Sequence, residues 1–575
     1  VEPDSHDANA SDPDQRNRFS WTRAAWFEAL VIAAVVLPLN LAGNARTSLW
    51  DRDEPRYAGC AREMRVSGDY IHPTFNAKGR YHKPILTYWL MQLGVAVGGD
   101  NPLGNRLVSS VMGVGTCLLV WGLGRRMFGA NVGRLAALVM ATAPIVVAES
   151  KLATTDATLL FFLTLAQWAV WELMHGSSAR WAATFWVAMA FATLTKGPIG
   201  PVLIGASGLM AWACRCPPTL LRHLRWGWGV PLYLVITAPW FMAIGIITQG
   251  EFFDVAMGRH VLHRMTTEME THGGFPGYYV AGSILGFYPW SAFLPAALVF
   301  AWKSRAEGRT AGFLAGWVLG PLLLLELVRT KLIHYYLPAY AGCALLAAWF
   351  LDAVIASESN IRRWPLGRLA VALLVGVGVG VAVVLGAGAF VVPRTLRLPA
   401  LALVAVITVG TLAAVEPMLR NATRAGIHRL GVTWAAVLVL ACAWAIPALE
   451  PYRLTPKAAA RLADLCAREG ATPILGSFQP PGMVYEFGRP IAVRQDLNWL
   501  ARLVADKGTI AAALTRSEAH ALADDPRWTV EVRETVEGIN VERARNERLQ
   551  MALIRPRALD STSVATQPRG DQQTK

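Results

Sequence analysis

Apolar runs of roughly 15 to 25 residues recur along this chain from Trp26 to Ala448 and then stop. Each is about long enough to cross a hydrocarbon core of roughly 30 Å at 1.5 Å per residue. Each is expected to be helical, because only a helix satisfies its own backbone hydrogen bonds in lipid. Composition agrees: 54% of the 575 residues are hydrophobic and only 16% charged, where a soluble domain is about a quarter charged. The fold class expected is a polytopic α-helical membrane protein.

Orientation follows from the basic residues, which favour the cytoplasmic side of short loops. They cluster at Arg125-Arg126 with Arg134, at Arg180, from Arg215 to Arg225, from Lys303 to Arg309, at Arg362-Arg363 with Arg368, and from Arg420 to Arg429. The remaining connections are then external, namely Asn44 to Asn105, Glu149 to Asp156, Thr195 to Pro198, Gln249 to Tyr278, Arg329 to His334 and Val391 to Pro399. The alternation closes if Pro84 to Val97, short for a crossing, lies in the interface. That gives about thirteen spans, an internal N-terminus and an external C-terminus.

Residues 1–23 read as a cytoplasmic leader without a small-residue cleavage site, so the first span is expected to stay as an anchor. Residues 24–449 form the membrane domain, with a first external loop over 44–104. Residues 450–560 mix charges evenly and read as a small external α/β domain, with a disordered tail over 561–575. In that domain a helix is expected over Lys457–Glu469. Strands are expected at Pro473–Phe478, Pro490–Arg494, Trp528–Val532 and Leu549–Arg555, with further helices near Asn498–Asp506 and Thr509–Leu514. The net charge of +14 is partly the internal loops, and no basic run interleaved with aromatics suggests a nucleic-acid partner. The seven cysteines make no framework. Cys60 and Cys466, both external, could pair, but spacing does not support it, and all are taken as buried thiols.

Charge concentrates just after the first span. Between Trp50 and Arg56 stand Asp51, Asp53 and Glu54 with Arg52 and Arg56, a density that marks function at a membrane face. Asp53-Glu54-Pro55 also suits the start of a helix running to Val66, so capping and an Asp53–Arg56 ion pair are competing readings. Two cations cannot neutralise three carboxylates, which leaves one over. Arg80-Tyr81-His82-Lys83-Pro84 follows. Lys83 there either snorkels to lipid phosphates or, with Arg56, grips the phosphate of a lipid-linked substrate.

Other external segments add candidates. Asp156 either caps its helix or offers a second carboxylate. Lys196, beside Gly197-Pro198, asks for an anionic partner within an apolar stretch. His260 and His263, at i and i+3, share a helical face that a divalent metal could use with a carboxylate, although a solvated polar loop explains them as well. The basic, aromatic edge Arg329 to Pro338 either anchors at the interface or lines a cavity.

Taken in order, Asp53-Glu54-Pro55-Arg56-Tyr57-Ala58, the Lys83-Pro84 helix, Thr155-Asp156-Ala157, Leu194-Thr195-Lys196-Gly197-Pro198 and Tyr335-Tyr336-Leu337-Pro338 resemble the C-type fold of polyprenyl-phosphate-dependent glycosyltransferases, in the protein O-mannosyltransferase-like branch. The spacing from Asp53-Glu54 through Ser67-Gly68-Asp69 and Phe75-Asn76 to Lys83-Pro84 is most similar to bacterial aminoarabinose transferases acting on lipid A. The resemblance covers residues 25 to 450.

It implies transfer of 4-amino-4-deoxy-L-arabinose from undecaprenyl phosphate to a lipid A phosphate at the periplasmic face of the inner membrane, with polymyxin resistance as the consequence. It also implies Asp53 and Asp156 as catalytic carboxylates, and Glu54, beside Asp53, is a third catalytic candidate. Lys83, Arg56, Tyr57 and Tyr81 would lie around the donor phosphate, with Lys196, Arg264, Tyr335 and Tyr336 as further cavity residues. His82 departs from the acid that many relatives are expected to carry there, which counts against a metal or acceptor role at that position. A monomer is expected, and a divalent metal at His260 and His263 is the one cofactor considered. The rival readings are transfer of another sugar or to a protein hydroxyl, and a transporter or flippase of lipid-linked sugar.

Overall fold

The structure, a computed structural model, describes residues 22–51, 53–216, 220–256, 274–304 and 309–557. It divides into a helical unit, Val1–Leu49 with Cys60–Glu450, and an α/β unit, Trp50–Gly59 with Pro451–Lys575. The first loop is thus split, because Trp50–Gly59 groups with the C-terminal segment. The leader before Thr22 and the tail from Ser561 lie outside the described residues.

Among the described residues nine helices are long and apolar enough to cross a membrane, from Arg23–Leu41 to Thr423–Tyr452. Leu86–Gly98, Ala130–Ala141 and Ile199–Ala213 are shorter apolar helices, and Ala179–Lys196 adds another of 18 residues. The chain is polytopic and helical, close to the expected number of spans. Leu86–Gly98, the helix expected at the interface, has 13 residues, about 20 Å at 1.5 Å per residue and short of a crossing. Burial sorts the long helices: 72% of the apolar window is enclosed in both Asp156–His175 and Ile333–Ala356, against 22% in Gly367–Val391. The first two are therefore central, and the third is left to face lipid.

Close packing without a hydrophobic drive needs small residues where helices touch. The Arg309–Leu327 helix carries Gly312, Gly316 and Gly320 on one stripe. A Cβ on Gly316 would stand 2.6 Å from the Ser207 carbonyl oxygen and the Ala211 Cβ, and one on Gly320 would strike the Ala206 carbonyl. The Ile199–Ala213 helix lies against that stripe, backbone to backbone.

In the α/β unit the strand order is Ala492–Val493, Thr472–Leu475, Ile510–Leu514, Arg545–Pro556, Trp528–Asn540. The first three strands are parallel and the last two pairings antiparallel. The Leu454–Glu469 helix buries Leu454, Ala458, Leu462 and Leu465 on one face. Leu497–Lys507 is helical as expected. Ile510–Leu514, expected as a helix, is instead the central strand, all five residues buried. Its alanines suit a helix, but five apolar residues between Gly508 and the N-cap Thr515 leave room only for a strand enclosed on both faces. All seven cysteines are free thiols.

The glycine stripe gives a test. Gly316→Val is expected to cost about 1–3 kcal/mol through overpacking, read as a lower melting temperature of the full chain in detergent. Gly208→Val, where an added Cβ meets nothing within 4 Å, should leave it unchanged.

Candidate functional site

The charged first-loop motif is described within the α/β unit. Asp51 accepts the Gly482 N–H at 2.7 Å, and the Arg453 guanidinium lies 4.4 Å from the Trp50 ring centre. Glu54 is buried and accepts the Trp50 N–H at 2.8 Å. The Asp53 carbonyl accepts the amides of Arg56 and Tyr57 at 3.0 and 3.2 Å, opening the Glu54–Ser67 helix. Its carboxylate, 57% exposed, stands 3.5 Å from Arg56. The surplus of carboxylates is therefore resolved by backbone: Asp51 and Glu54 are spent on N–H groups, and Asp53 is the one turned to solvent. Tyr57 is buried, and Arg52 lies outside the described residues.

Burial raises the Asp51 carboxyl above its ordinary value, opposed by the Thr455 hydroxyl and the Gly482 amide. The fold thus holds this proton more tightly than the unfolded chain, so stability falls as pH rises through the carboxylate range.

In the helical unit, Asp156 opens one helix and Lys196 closes another. Asp156 Oδ1 and Lys196 Nζ are 2.6 Å apart, with side chains only 9% and 12% exposed. Each charge has the sign its helix end favours. Gly197, at φ +70°, lets the chain turn off the helix directly after the lysine. The Lys196 ammonium also lies 5.2 Å from the Tyr335 ring centre. Beyond it, His334 Nδ1 is 4.0 Å from Glu149 Oε1, and the Thr155 hydroxyl donates to Asp156 at 3.4 Å.

Asp156, Lys196, His334 and Tyr335 line a cavity of about 630 Å³, together with His82 and Lys83. Its remaining wall is apolar, including Leu203, Phe241, Phe252 and Leu324. Pro201 and Tyr233 also line a second cavity of about 770 Å³, nearly all apolar, which reaches Trp212, Cys216 and Trp226 at the other end of the same helices. The two cavities thus adjoin, one bearing the charged groups and the other almost wholly apolar.

Of the residues singled out from sequence, the cavity brings together Lys83, Asp156, Lys196 and Tyr335. Tyr81 stands outside its lining, its hydroxyl 2.9 Å from His72 Nε2 and its ring edge-on to Phe252 at 6.2 Å. Tyr336, expected in the cavity, is instead in the packed core and donates to the Val318 carbonyl at 3.0 Å. In a short 3-10 helix, Ile333–Ala339, neighbouring tyrosines point to different sides. Arg264, His260 and His263 lie outside the described residues, and among those described no three His, Cys, Asp or Glu side chains gather as a metal requires. His334, Glu149 and the Phe252 wall were not among the candidates; a carboxylate and an imidazole at the ends of buried helices were the available signal.

Residues 82–242 match the family described as dolichyl-phosphate-mannose-protein mannosyltransferase. A protein of Edwardsiella ictaluri (strain 93-146), undecaprenyl phosphate-alpha-4-amino-4-deoxy-L-arabinose arabinosyl transferase, is 27% identical over 352 residues, 59% of this chain and 62% of that one. The protein of the same name from Pseudomonas paraeruginosa (strain DSM 24068 / PA7) is 31% identical over 339 residues, 56% and 59%. The chain spans about three-fifths of the length of the curated relatives it matches. Among solved structures, ArnT from Cupriavidus metallidurans bound to undecaprenyl phosphate superposes with a TM-score of 0.74 at 21% identity, covering 92% of this chain and 98% of that one. Its apo state gives 0.76 at the same identity and coverage. The chain has the fold of those structures, the C-type architecture its motifs led us to expect.

Two tests follow from the charges. Lys196→Met, which strands a buried carboxylate, is expected to cost about 3–5 kcal/mol, and adding Asp156→Asn should recover most of it in a double-mutant cycle. Asp51→Asn keeps an acceptor for Gly482 and is expected to melt above the parent chain near neutral pH. The two should coincide below the carboxylate range, as thermal unfolding across pH will read.

Proposed function

We propose that this chain moves 4-amino-4-deoxy-L-arabinose from undecaprenyl phosphate to a phosphate of lipid A at the periplasmic face of the inner membrane. The observation that carries the proposal is the cavity: the cations Lys83 and Lys196 beside Asp156, with an apolar wall beyond them, suit a lipid that ends in a sugar phosphate. The resemblance of the first-loop motif and the printed names of the relatives support the same donor.

In this reading Lys83 and Arg56 take the roles the resemblance implies, holding the donor phosphate and stabilising it as it departs. The bond from sugar C1 to the donor phosphate oxygen breaks, and an oxygen of the acceptor phosphate bonds C1. That acceptor is already anionic and needs no strong base. Asp53 instead faces the positive charge that builds on the sugar ring, and Asp156 keeps the cavity's lysine in place. The product carries an amine where lipid A had exposed phosphate charge, so it draws cationic peptides such as polymyxin less strongly. A carrier of lipid-linked sugar would place its ionisable groups near the membrane midplane, and here they gather at helix ends.

Mass spectrometry of lipid A from cells with and without the intact gene is the test: aminoarabinose on lipid A phosphate is expected only with it. The match of residues 82–242 to the protein mannosyltransferase family favours a second reading, a protein hydroxyl acceptor with Asp53 as base. Unchanged lipid A beside altered glycoproteins would select it. Asp53→Asn is expected to reduce turnover at least about 100-fold in a chain that still folds, and Lys83→Ala to raise the donor KM. Gly205→Phe, filling the open channel where a Cβ meets nothing within 4 Å, should weaken undecaprenyl donors about tenfold, or roughly 1.4 kcal/mol. Short-chain polyprenyl donors should be spared.

A further inference from the structure

Glu149 and His334 stand beside the Asp156–Lys196 pair, and the roles assigned so far use neither. Glu149 is the last residue of the short Pro144–Glu149 helix. Its side chain is 11% exposed, and one oxygen accepts the Thr154 hydroxyl at 3.5 Å. His334 lines the cavity and presents Nδ1 to Glu149 Oε1 at 4.0 Å. With Nδ1 turned to that carboxylate, Nε2 is the ring nitrogen directed away from it. The Tyr335 ring stands edge-on to the imidazole at 5.1 Å, limiting its rotation.

We propose that His334 is the general acid that protonates the departing donor phosphate, and that Glu149 is the positioning residue that orients its ring. The proposal rests on the phosphate-donor reading above. As the C1–O bond breaks, its electron pair goes to the phosphate oxygen. The proton on His334 Nε2 passes to that oxygen while the acceptor phosphate oxygen bonds C1. The neutral imidazole then regains a proton from water as undecaprenyl phosphate leaves.

Chemical matching selects the histidine. A freed phosphate monoester has its second ionisation near pH 6, and an ordinary imidazole titrates at about 6.5 against about 10.4 for a lysine ammonium. Proton transfer is most effective between groups so matched, which leaves Lys83 and Lys196 as fixed charges. His82 also lines the cavity but is solvent-exposed, so water competes for its proton. Glu149 and Asp156 act on His334, and Lys196, Lys83 and the Tyr335 phenol act on the Asp156–Lys196 pair beside it. Glu326, on the neighbouring Arg309–Leu327 helix, is paired with Lys331.

The test uses the full chain in lipid nanodiscs, with His334→Gln and Glu149→Gln beside the parent. Donor turnover and undecaprenyl phosphate binding are each measured across pH 5 to about 9, a window that brackets the imidazole. The parent should lose kcat as pH rises through the imidazole range. His334→Gln should lower kcat about 100-fold, leave the donor KM within about threefold of the parent, and erase that limb. Glu149→Gln keeps the imidazole, so it should retain the limb while lowering kcat about tenfold. Binding of undecaprenyl phosphate should weaken with rising pH in the parent and not in His334→Gln. A His334→Gln chain with the parent's kcat and pH limb overturns the proposal, as does a loss of activity matched by a loss of thermal stability with the limb intact. If the parent binds undecaprenyl phosphate but transfers another sugar, the donor-sugar reading fails and the His334 limb is measured with that sugar instead. If it binds no undecaprenyl phosphate, both fall.

Discussion

The ion pair between Asp156 and Lys196 sets the geometry of the helical unit. Drawing two charges out of water costs several kcal/mol each, and their attraction seldom more than offsets it. Here each charge is helped by its position. Asp156 meets the positive end of its helix and Lys196 the negative end of its own, while the Tyr335 ring lies near the ammonium and adds a cation–π contribution. The pair therefore ties together the ends of Asp156–His175 and Ala179–Lys196, and through Tyr335 the start of Ile333–Ala356. Two of those helices are the most enclosed of the long ones. A cavity walled by them keeps its shape because its charged mouth is also a structural joint.

The apolar channel behind that mouth adds little affinity of its own. A prenyl tail entering it leaves lipid, not water, and hydrocarbon gains almost nothing by exchanging one apolar surrounding for another. Discrimination must then lie at the headgroup, where charges are partly desolvated and act more strongly than in water. In the proposed function, the channel's task is to set the depth at which the donor phosphate meets Lys83.

Much of this was legible in the sequence, for a physical reason. Lipid forbids unpaired backbone, so apolar runs could be read as helices, and charge beside them stood out against a low background. Lys83, Asp156, Lys196 and Tyr335 were each visible as an ionisable or aromatic group at a span end, and they share one cavity. What failed was what depends on three-dimensional partners. Nothing local to Asp51 and Glu54 says that one will serve the Gly482 amide and the other the Trp50 amide. Tyr336 and Tyr335 are adjacent in sequence, yet one enters the core and the other the cavity. Ile510–Leu514 carries helix-favouring alanines, and only its enclosure between two other strands makes it extended. Glu149 and His334 lie 185 residues apart in the sequence, so no spacing rule could pair them.

The α/β unit is assembled from two pieces of chain, Trp50–Gly59 and the segment that begins at Pro451. Roughly 390 residues separate them, and a ribosome adding about 5–20 residues per second takes on the order of 20–80 s to cover that distance. During that interval the Gly482 amide that donates to Asp51 and the Arg453 guanidinium that covers Trp50 do not yet exist. The stretch bearing Asp53 and Arg56 is therefore made well before the residues that fasten it. A chain interrupted before Pro451 would present its helices to the membrane with that stretch unanchored, so the order of synthesis itself withholds the motif's final geometry until the segment from Pro451 has followed.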